Sequence, residues 1–406
     1  MDCEELIIGS GLTALGTALG LEPRRRTIVL AGDAAGGFRH YGDFPDAPAA
    51  HLGPGGLGQY WHGVIPSPAL TGGETDTDAF AALFQYFHPN AGLPTQLNEP
   101  RLFIPWRPIR PLREWARLQS ARGAQLQWRP ESAIAVEPQS ADHGPGAVTV
   151  RTAQTTYRAQ RVWLAAGCLQ TPALVQQAVG RALARDSVSD HAIVYLGQID
   201  RAQTPQVAAP AVHRTRDGMW VPAALSTDGT GLCTLRPARF DFAALDAGIG
   251  QRAALGLPAG SAIRKIAAGA SPGLIAEALY TRLGLFAGAR RQSVYAQILA
   301  PDAHAFDATA GRLLGSRREA IRTAAEAMQS QCPWPGLLVS RAPQLFLPGI
   351  HLHHTLHRPS LREAGLGRDA ASLQIVDASD RDDIGPTHHS FRLMLAAATR
   401  ARRLSA

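Results

Sequence analysis

The chain has 406 residues, 45% of them hydrophobic and 18% charged. That is enough apolar side chain for a sizeable core, and it excludes wholesale disorder; the length suits two or three domains, or one large fold with an inserted lobe. The net charge is +7, from 40 Lys plus Arg against 33 Asp plus Glu, but Lys265 is the only lysine and the arginines are dispersed apart from Arg24 to Arg26 and Arg400 to Arg403. Positive charge spread in this way does not mark a nucleic-acid surface.

Residues Glu5 to Asp33 read as one βαβ unit. Leu6-Ile7-Ile8 is a short buried strand, Leu12 to Leu21 a run of small and apolar residues suited to a packed helix, and Thr27 to Leu30 a second buried strand. Residues Ala34 to Ser67 are rich in Gly, Pro, His and aromatics with little periodicity, which reads as a long functional loop. Helical spacing follows over Thr77 to Phe87 and Leu112 to Arg122. Strands are predicted at Leu126 to Trp128 and Ala133 to Glu137, a hairpin at Ala147 to Arg151 and Thr156 to Arg158, and a buried strand at Val162 to Ala166 that Gly167 stops before a helix over Pro172 to Val179. From Val194 to Ala342 the pattern weakens into an inserted lobe of unresolved topology. Leu373 to Val376 is strand-like, and Ser390 to Leu404 reads as an amphipathic terminal helix.

Cys3, Cys168, Cys233 and Cys332 are widely spaced and form no C-x-x-C pair, so neither a zinc site nor a disulfide framework is expected, in keeping with a reducing compartment. No uninterrupted apolar run reaches membrane-spanning length, and the start Met1-Asp2-Cys3-Glu4-Glu5 is acidic where a secretory signal is basic. A soluble, cytoplasmic protein is expected.

Gly9-Ser10-Gly11-Leu12-Thr13-Ala14 falls between the first strand and the first helix. A dinucleotide needs this arrangement: Gly9 permits the tight turn, Gly11 lets the backbone approach the pyrophosphate, Ala14 allows close helix–strand packing, and the helix N-terminus faces the phosphate charge. Asp33 lies about 20 residues beyond the glycines, where an acid holds the adenosine ribose; a solvated loop aspartate is the alternative.

With those residues in view, the chain resembles the glucose–methanol–choline (GMC) flavin oxidoreductases. Gly55-Gly56-Leu57-Gly58-Gln59-Tyr60-Trp61-His62-Gly63 resembles the family's second glycine segment, Leu164 to Leu174 its strand–turn–helix, and Asp190-His191 the Asp-His that follows. His351-Leu352-His353-His354-Thr355 resembles the segment that carries its first active-site histidine, Gln374 to Ser379 its VVDAS strand, and His388 falls where it places a second histidine. Two positions depart from the pattern: Leu30-Ala31-Gly32 lacks the usual glutamate, and His354 stands at a family glycine.

The resemblance implies an α/β fold: a Rossmann-like FAD-binding domain of the p-hydroxybenzoate-hydroxylase type, with an α+β substrate lobe built on an antiparallel sheet. Residues 1–75, 120–192 and 343–406 would form the discontinuous FAD domain, and 76–119 and 193–342 the lobe. Non-covalent FAD would lie along Gly9, Gly11, Leu12, Thr13, Ala14, Asp33, Gly55, Gly56, Trp61, His62, Ala133, Ala166, Gly167, Asp377, Ala378 and His389. Trp61 and His62 would flank the flavin ring or act as an aromatic anchor; Trp106, Arg107, Trp115 and Trp128 read as core or interlobe packing.

The implied reaction is oxidation of a small-molecule alcohol, with hydride passing to the flavin, the hydroxyl proton to a histidine, and an unidentified acceptor reoxidising the cofactor. The candidate catalytic set is His351, His388 and His354. His351, His353, His354 and His357 have a second reading as metal ligands, but no Asp, Glu or Cys stands nearby to complete a set, and no metal is expected. Two further readings stay open: flavin-dependent desaturation or cyclisation of a specialised metabolite, and a nucleotide-binding protein without redox activity.

Overall fold

A computed structural model of the chain describes residues 1–33, 38–41, 44–61, 63–70, 76–92, 99–138, 148–181, 187–200, 212–238, 276, 283, 291–307, 312–316, 318–339, 347–348, 356, 372–381 and 384–405. In strand β1 (Asp2–Ile8) Leu6 and Ile8 enter one hydrophobic cluster and Ile7 another. A strand covered on both faces reads as a continuous apolar run for this reason. Helix α1 (Leu12–Gly20) and strand β2 (Thr27–Leu30) complete the expected βαβ unit, with β1 and β2 parallel.

Residues 34–67, read from sequence as a loop, contain a hairpin of β3 (Phe38–Tyr41) and β4 (Phe44–His51), a 3-10 turn over Gly56–Tyr60 and the short strand β5 (Ile65–Pro66). Their Gly and Pro content hides the alternation that marks a strand. Helix α2 (Thr77–Phe87) begins at Asp76, whose Oδ1 accepts the N–H groups of Asp78 and Ala79, both at 3.0 Å. Strand β6 (Arg101–Pro105) follows, then helix α3 (Pro111–Arg122) with proline in its first turn.

Strands β7 (Leu126–Arg129), β8 (Ala135–Pro138) and β9 (Val148–Arg151) lead into β10 (Thr156–Leu164). The segments predicted at 156–158 and 162–166 are thus one strand. No Gly or Pro interrupts it, and on one edge it changes partner, from antiparallel β9 to a parallel strand near the C-terminus, β19 below. Helix α4 (Gln170–Val179) packs back towards β8.

The described residues from Ser187 to Pro348 are mainly antiparallel strands: β11 (Ser187–Asp200), β12 (His213–Arg214), β13 (Gly218–Leu225), β14 (Gly231–Ala238), β15 (Arg291–Asp307) and β16 (Arg312–Ser316), then helix α5 (Arg318–Ser330) and strands β17 (Leu337–Val339) and β18 (Leu347–Pro348). Strand β19 (Leu373–Ile375) and helix α6 (Ser390–Ser405) end the chain.

Two sheets organise these elements. The first runs β7-β2-β1-β10-β9-β8, with β19 beside β10; β7, β2, β1, β10 and β19 are mutually parallel, which is a Rossmann-type arrangement. The second runs β17-β11-β15-β14-β13-β6-β5 and is antiparallel throughout these pairings. Helix α1 packs on α6 so closely that a Cβ on Gly16 would lie 2.3 Å from the Met394 carbonyl oxygen, and one on Gly20 2.1 Å from that of Ala398. Glu5, fully buried in β1, receives Arg25 and Arg161 at 3.1 Å and the Trp163 indole N–H at 2.7 Å, so its charge does not stand alone in the core.

His88 closes α2 between the rings of Phe84 and Phe103, 4% exposed, and burial lowers its pKa from 6.5 to about 4 against a smaller opposing pull from Asp217. A histidine kept neutral by folding stabilises fully above its unfolded pKa and loses that contribution as pH falls through the window between the two values. Stability should therefore drop by roughly 3 kcal/mol between about pH 7 and pH 4 on account of this ring. His88→Phe should flatten that part of the urea-midpoint profile; an unaltered slope would show that His88 is not its source.

Candidate functional site

The parallel register decides where the loops gather. Ile8 is level with Leu30 and Leu164, and Leu164 with Ile375. Beyond these ends the ladder continues by one bond each: Gly9 N–H to Leu30 O at 2.9 Å, Ala165 N–H to Ile8 O at 2.9 Å, and Val376 N–H to Leu164 O at 3.0 Å. Gly9, Ala165 and Val376 thus form one row at the carboxyl edge of the sheet, where open α/β sheets place their ligands.

Gly9 has φ +109°, and a Cβ there would lie 2.2 Å from Ala165 O, so only glycine fits. Gly11, by contrast, is open: among the described residues a Cβ would meet only Gly55 O, at 3.9 Å. Gly56, in the left-handed region at φ +53°, packs against the Gly11 backbone. The two glycine segments, more than forty residues apart in sequence, therefore dock on each other, and among the described residues no side chain comes within 4 Å of a Cβ built on Gly11 beside the N-terminus of α1. That terminus has Gly11 as N-cap, no side-chain cap and no acid in its first turn. Leu12 and Thr13 are half-buried there and Ala14 fully buried.

Ser10 joins the segments. Its Oγ donates to Ala31 O at 2.8 Å and accepts the Gly55 N–H at 2.8 Å, while its carbonyl accepts the Trp115 indole N–H at 2.8 Å. Neither Ser10 nor this use of Trp115 was legible in the sequence, since one residue is the free position between two glycines and the other reads as core. Trp61 is 7% exposed and belongs to the hydrophobic cluster around α1 and α2. Trp128 stacks edge-on with Trp115, and Trp106 donates to Thr215 O at 3.2 Å.

Asp33 is exposed just beyond β2, its N–H bonded to Ser132 Oγ at 3.1 Å, and Ala133 is half-buried beside the cluster under β1 and β10. Ala166 is half-buried, and Gly167 is exposed with φ +87° and, among the described residues, nothing within 4 Å of a Cβ. Asp377 lies just beyond β19. One carboxylate oxygen accepts the Gly167 N–H at 2.9 Å and the Thr171 hydroxyl, the other the Ser379 N–H at 3.0 Å. Burial raises its pKa, with these bonds pulling the other way. Its side chain ties β19 to the turn before α4; Ala378 beside it is buried. Burial also pushes the Cys168 thiol well up, and the charges of Asp377 and Asp190 add to that.

His388 and His389 are buried in the turn before α6, and the His389 ring lies 5.4 Å from that of His191. His62, His351, His353, His354 and His357 lie outside the described residues. Leu356, close after the His351 segment, is buried and donates its N–H to Ser379 O at 3.2 Å. Among the described residues no group of three or more His, Cys, Asp or Glu is placed to hold a metal, and no helix is long and apolar enough to cross a membrane.

No family model matches the chain, and no curated protein matches it. Among solved structures it is similar to pyridoxine 4-oxidase from Mesorbium loti, at 13% identity over 99% of each chain with a TM-score of 0.48. It is also similar to the anhydrotetracycline hydroxylase OxyS from Streptomyces rimosus, at 14% identity over 100% of this chain and 62% of that one with a TM-score of 0.38. A flavoprotein/dehydrogenase from Cytophaga hutchinsonii is similar at 10% identity over 100% and 78%, with a TM-score of 0.37.

Asp377→Ala should leave the buried Thr171 hydroxyl and two N–H groups without their acceptor and cost about 2–4 kcal/mol. Denaturant midpoints measure this, and Asp377→Asn, which keeps one acceptor oxygen, should fall between variant and parent.

Proposed function

We propose that the chain is an FAD-dependent oxidoreductase of the glucose–methanol–choline type that oxidises an alcohol group of a small molecule. The observation that carries this reading is the docking of Gly55-Gly56 on Gly9–Gly11 at the carboxyl edge of the parallel sheet. An open Gly11 above an uncapped helix N-terminus suits a pyrophosphate, because backbone N–H groups and the helix dipole both favour negative charge there and no side chain crowds the approach.

In this reading Gly9, Gly11, Leu12, Thr13 and Ala14 hold the phosphates, and Asp33 and Ala133 the adenosine end. Gly55, Gly56 and Trp61 line the middle, and His62 belongs to the same segment. Ala166, Gly167, Asp377, Ala378 and His389 border the redox end, with the main chain rather than the Asp377 carboxylate turned to the ligand, since that carboxylate already serves Gly167, Thr171 and Ser379. Bound non-covalently, FAD would supply the hydride-accepting centre that no side chain provides.

The chain's own part is to orient the hydroxyl and take its proton. Of the proposed set His351, His354 and His388, the last is buried in the turn before α6, and burial of this kind suits the positioned imidazole that a general base requires. Residues 1–75, 120–192 and 343–406 would carry the cofactor, and 76–119 with 193–342 the substrate.

The visible spectrum of the purified protein tests cofactor identity: the two bands of an oxidised flavin are expected, and a colourless protein that takes up no added FAD overturns the reading. Gly11→Val should abolish FAD retention, since its side chain would fill the approach to α1. His388→Ala should retain FAD while slowing anaerobic flavin bleaching, by the fastest of a panel of primary and secondary alcohols, by about 10²–10⁴. Bleaching at the parental rate in both His388→Ala and His351→Ala would remove histidine from the mechanism.

A further inference from the structure

The turn that carries His388 is gripped from the antiparallel sheet. His191, 1% exposed on β11, has its Nε2 2.7 Å from Gly385 O. A carbonyl can only accept, so Nε2 bears the proton and Nδ1 is left as an acceptor. Gln297 on β15 fills that role: its Nε2 donates to His191 Nδ1 at 3.1 Å and to Pro386 O at 3.0 Å, its two amide hydrogens serving both bonds. The sheet register makes this possible. Gln297 is level with residue 193 and Leu299 with His191, so the imidazole and the carboxamide are diagonal neighbours on one face. Asp190 Oδ1 accepts the His191 N–H at 2.7 Å and steadies the strand there.

The carbonyls so held belong to Gly385 and Pro386, the residues just before Thr387 and His388. On the other side the turn is fixed by α6: Leu393 N–H donates to His389 O at 2.8 Å, and Arg392 to Ile384 O at 3.2 Å. Gly385 takes φ +61°, which lets the chain reverse between the two anchorages. Among the described residues the Gln297 carboxamide oxygen and the Thr387 hydroxyl, both in residues 3% exposed, have no hydrogen-bond partner, so this buried polar junction keeps capacity to receive a hydroxylated ligand.

We propose that His191 and Gln297 are positioning residues: a neutral imidazole and a carboxamide, bonded to each other and to consecutive carbonyls of the 384–389 turn, that set where His388 stands relative to the substrate hydroxyl. The catalytic half of this statement rests on the role given to His388 above; the clamp itself does not.

The test uses the full chain. In the cofactor-free protein, amide hydrogen exchange over residues 387–391 should quicken about tenfold or more in Gln297→Leu and His191→Ala, and stay near parental in His191→Gln, whose amide can still donate to Gly385 O. In the FAD-loaded protein the same two variants should retain the cofactor yet be reduced about tenfold more slowly by the alcohol that bleaches the parent fastest, with His191→Gln restoring most of the rate. Side-chain nitrogen NMR of the parent should find the His191 proton on Nε2. Parental exchange in both clamp variants, or a proton on Nδ1, overturns the clamp. Faster exchange with an unaltered reduction rate, or slow reduction that His191→Gln fails to rescue, overturns its positioning role. A parent chain that takes up no flavin overturns the functional reading alone, and the exchange arm still decides the clamp.

Discussion

A side chain at residue 9 would place its first carbon 2.2 Å from the carbonyl oxygen of Ala165, well inside contact distance. The absence of that carbon lets β1 and β10 end level and turn away together, and the rest of the site follows. With the two ends level, the turn after β10 meets Asp377 beyond β19, while the turn after β1 meets Gly55 through the Ser10 hydroxyl. The carboxyl edge is therefore built from backbone: glycines, main-chain N–H groups and two small hydrogen-bonding side chains. Surfaces of that kind admit a polyanionic ligand at close range, because nothing bulky has to move aside.

The sequence was most readable where one element carries one pattern. The βαβ unit, the helices at 77–87 and 111–122 and the terminal helix show apolar periodicity and matching end signals, and the structure has them within a residue or two, except that β1 starts at Asp2, four residues before the predicted Leu6–Ile8 run. It was least readable where partners are distant. β11 and β15 run 14 and 17 residues with their register set by each other across about a hundred residues of chain, information that no local window contains. The hairpin at 38–51 hides behind glycines and prolines, and β10 was split because its change of partner leaves no mark on its own residues.

The site divides in the same way. Gly9 and Gly11 are legible because the constraint on them is local, a tight turn and a close approach. Gly55, Asp377 and His388 come only from resemblance to a family pattern. Ser10, Trp115, His191 and Gln297 belong to neither class: what matters in each is one bond to a remote carbonyl or N–H, and many residue types can make such a bond. Arg122, which donates to Ala18 O and Leu21 O at the end of α1, is a further instance.

The seam between α1 and α6 bears on how the protein is made. Gly16 and Gly20 lie against the backbone at Met394 and Ala398, and Arg25 reaches Ser405 O at 3.2 Å, a bond between residues 380 apart. During synthesis α1 leaves the ribosome well before the helix that packs on it, with about 370 residues of chain between Gly20 and Ser390. Until α6 emerges, the glycine face of α1 lacks the partner it has in the folded protein, so this seam closes later than the contacts within the βαβ unit.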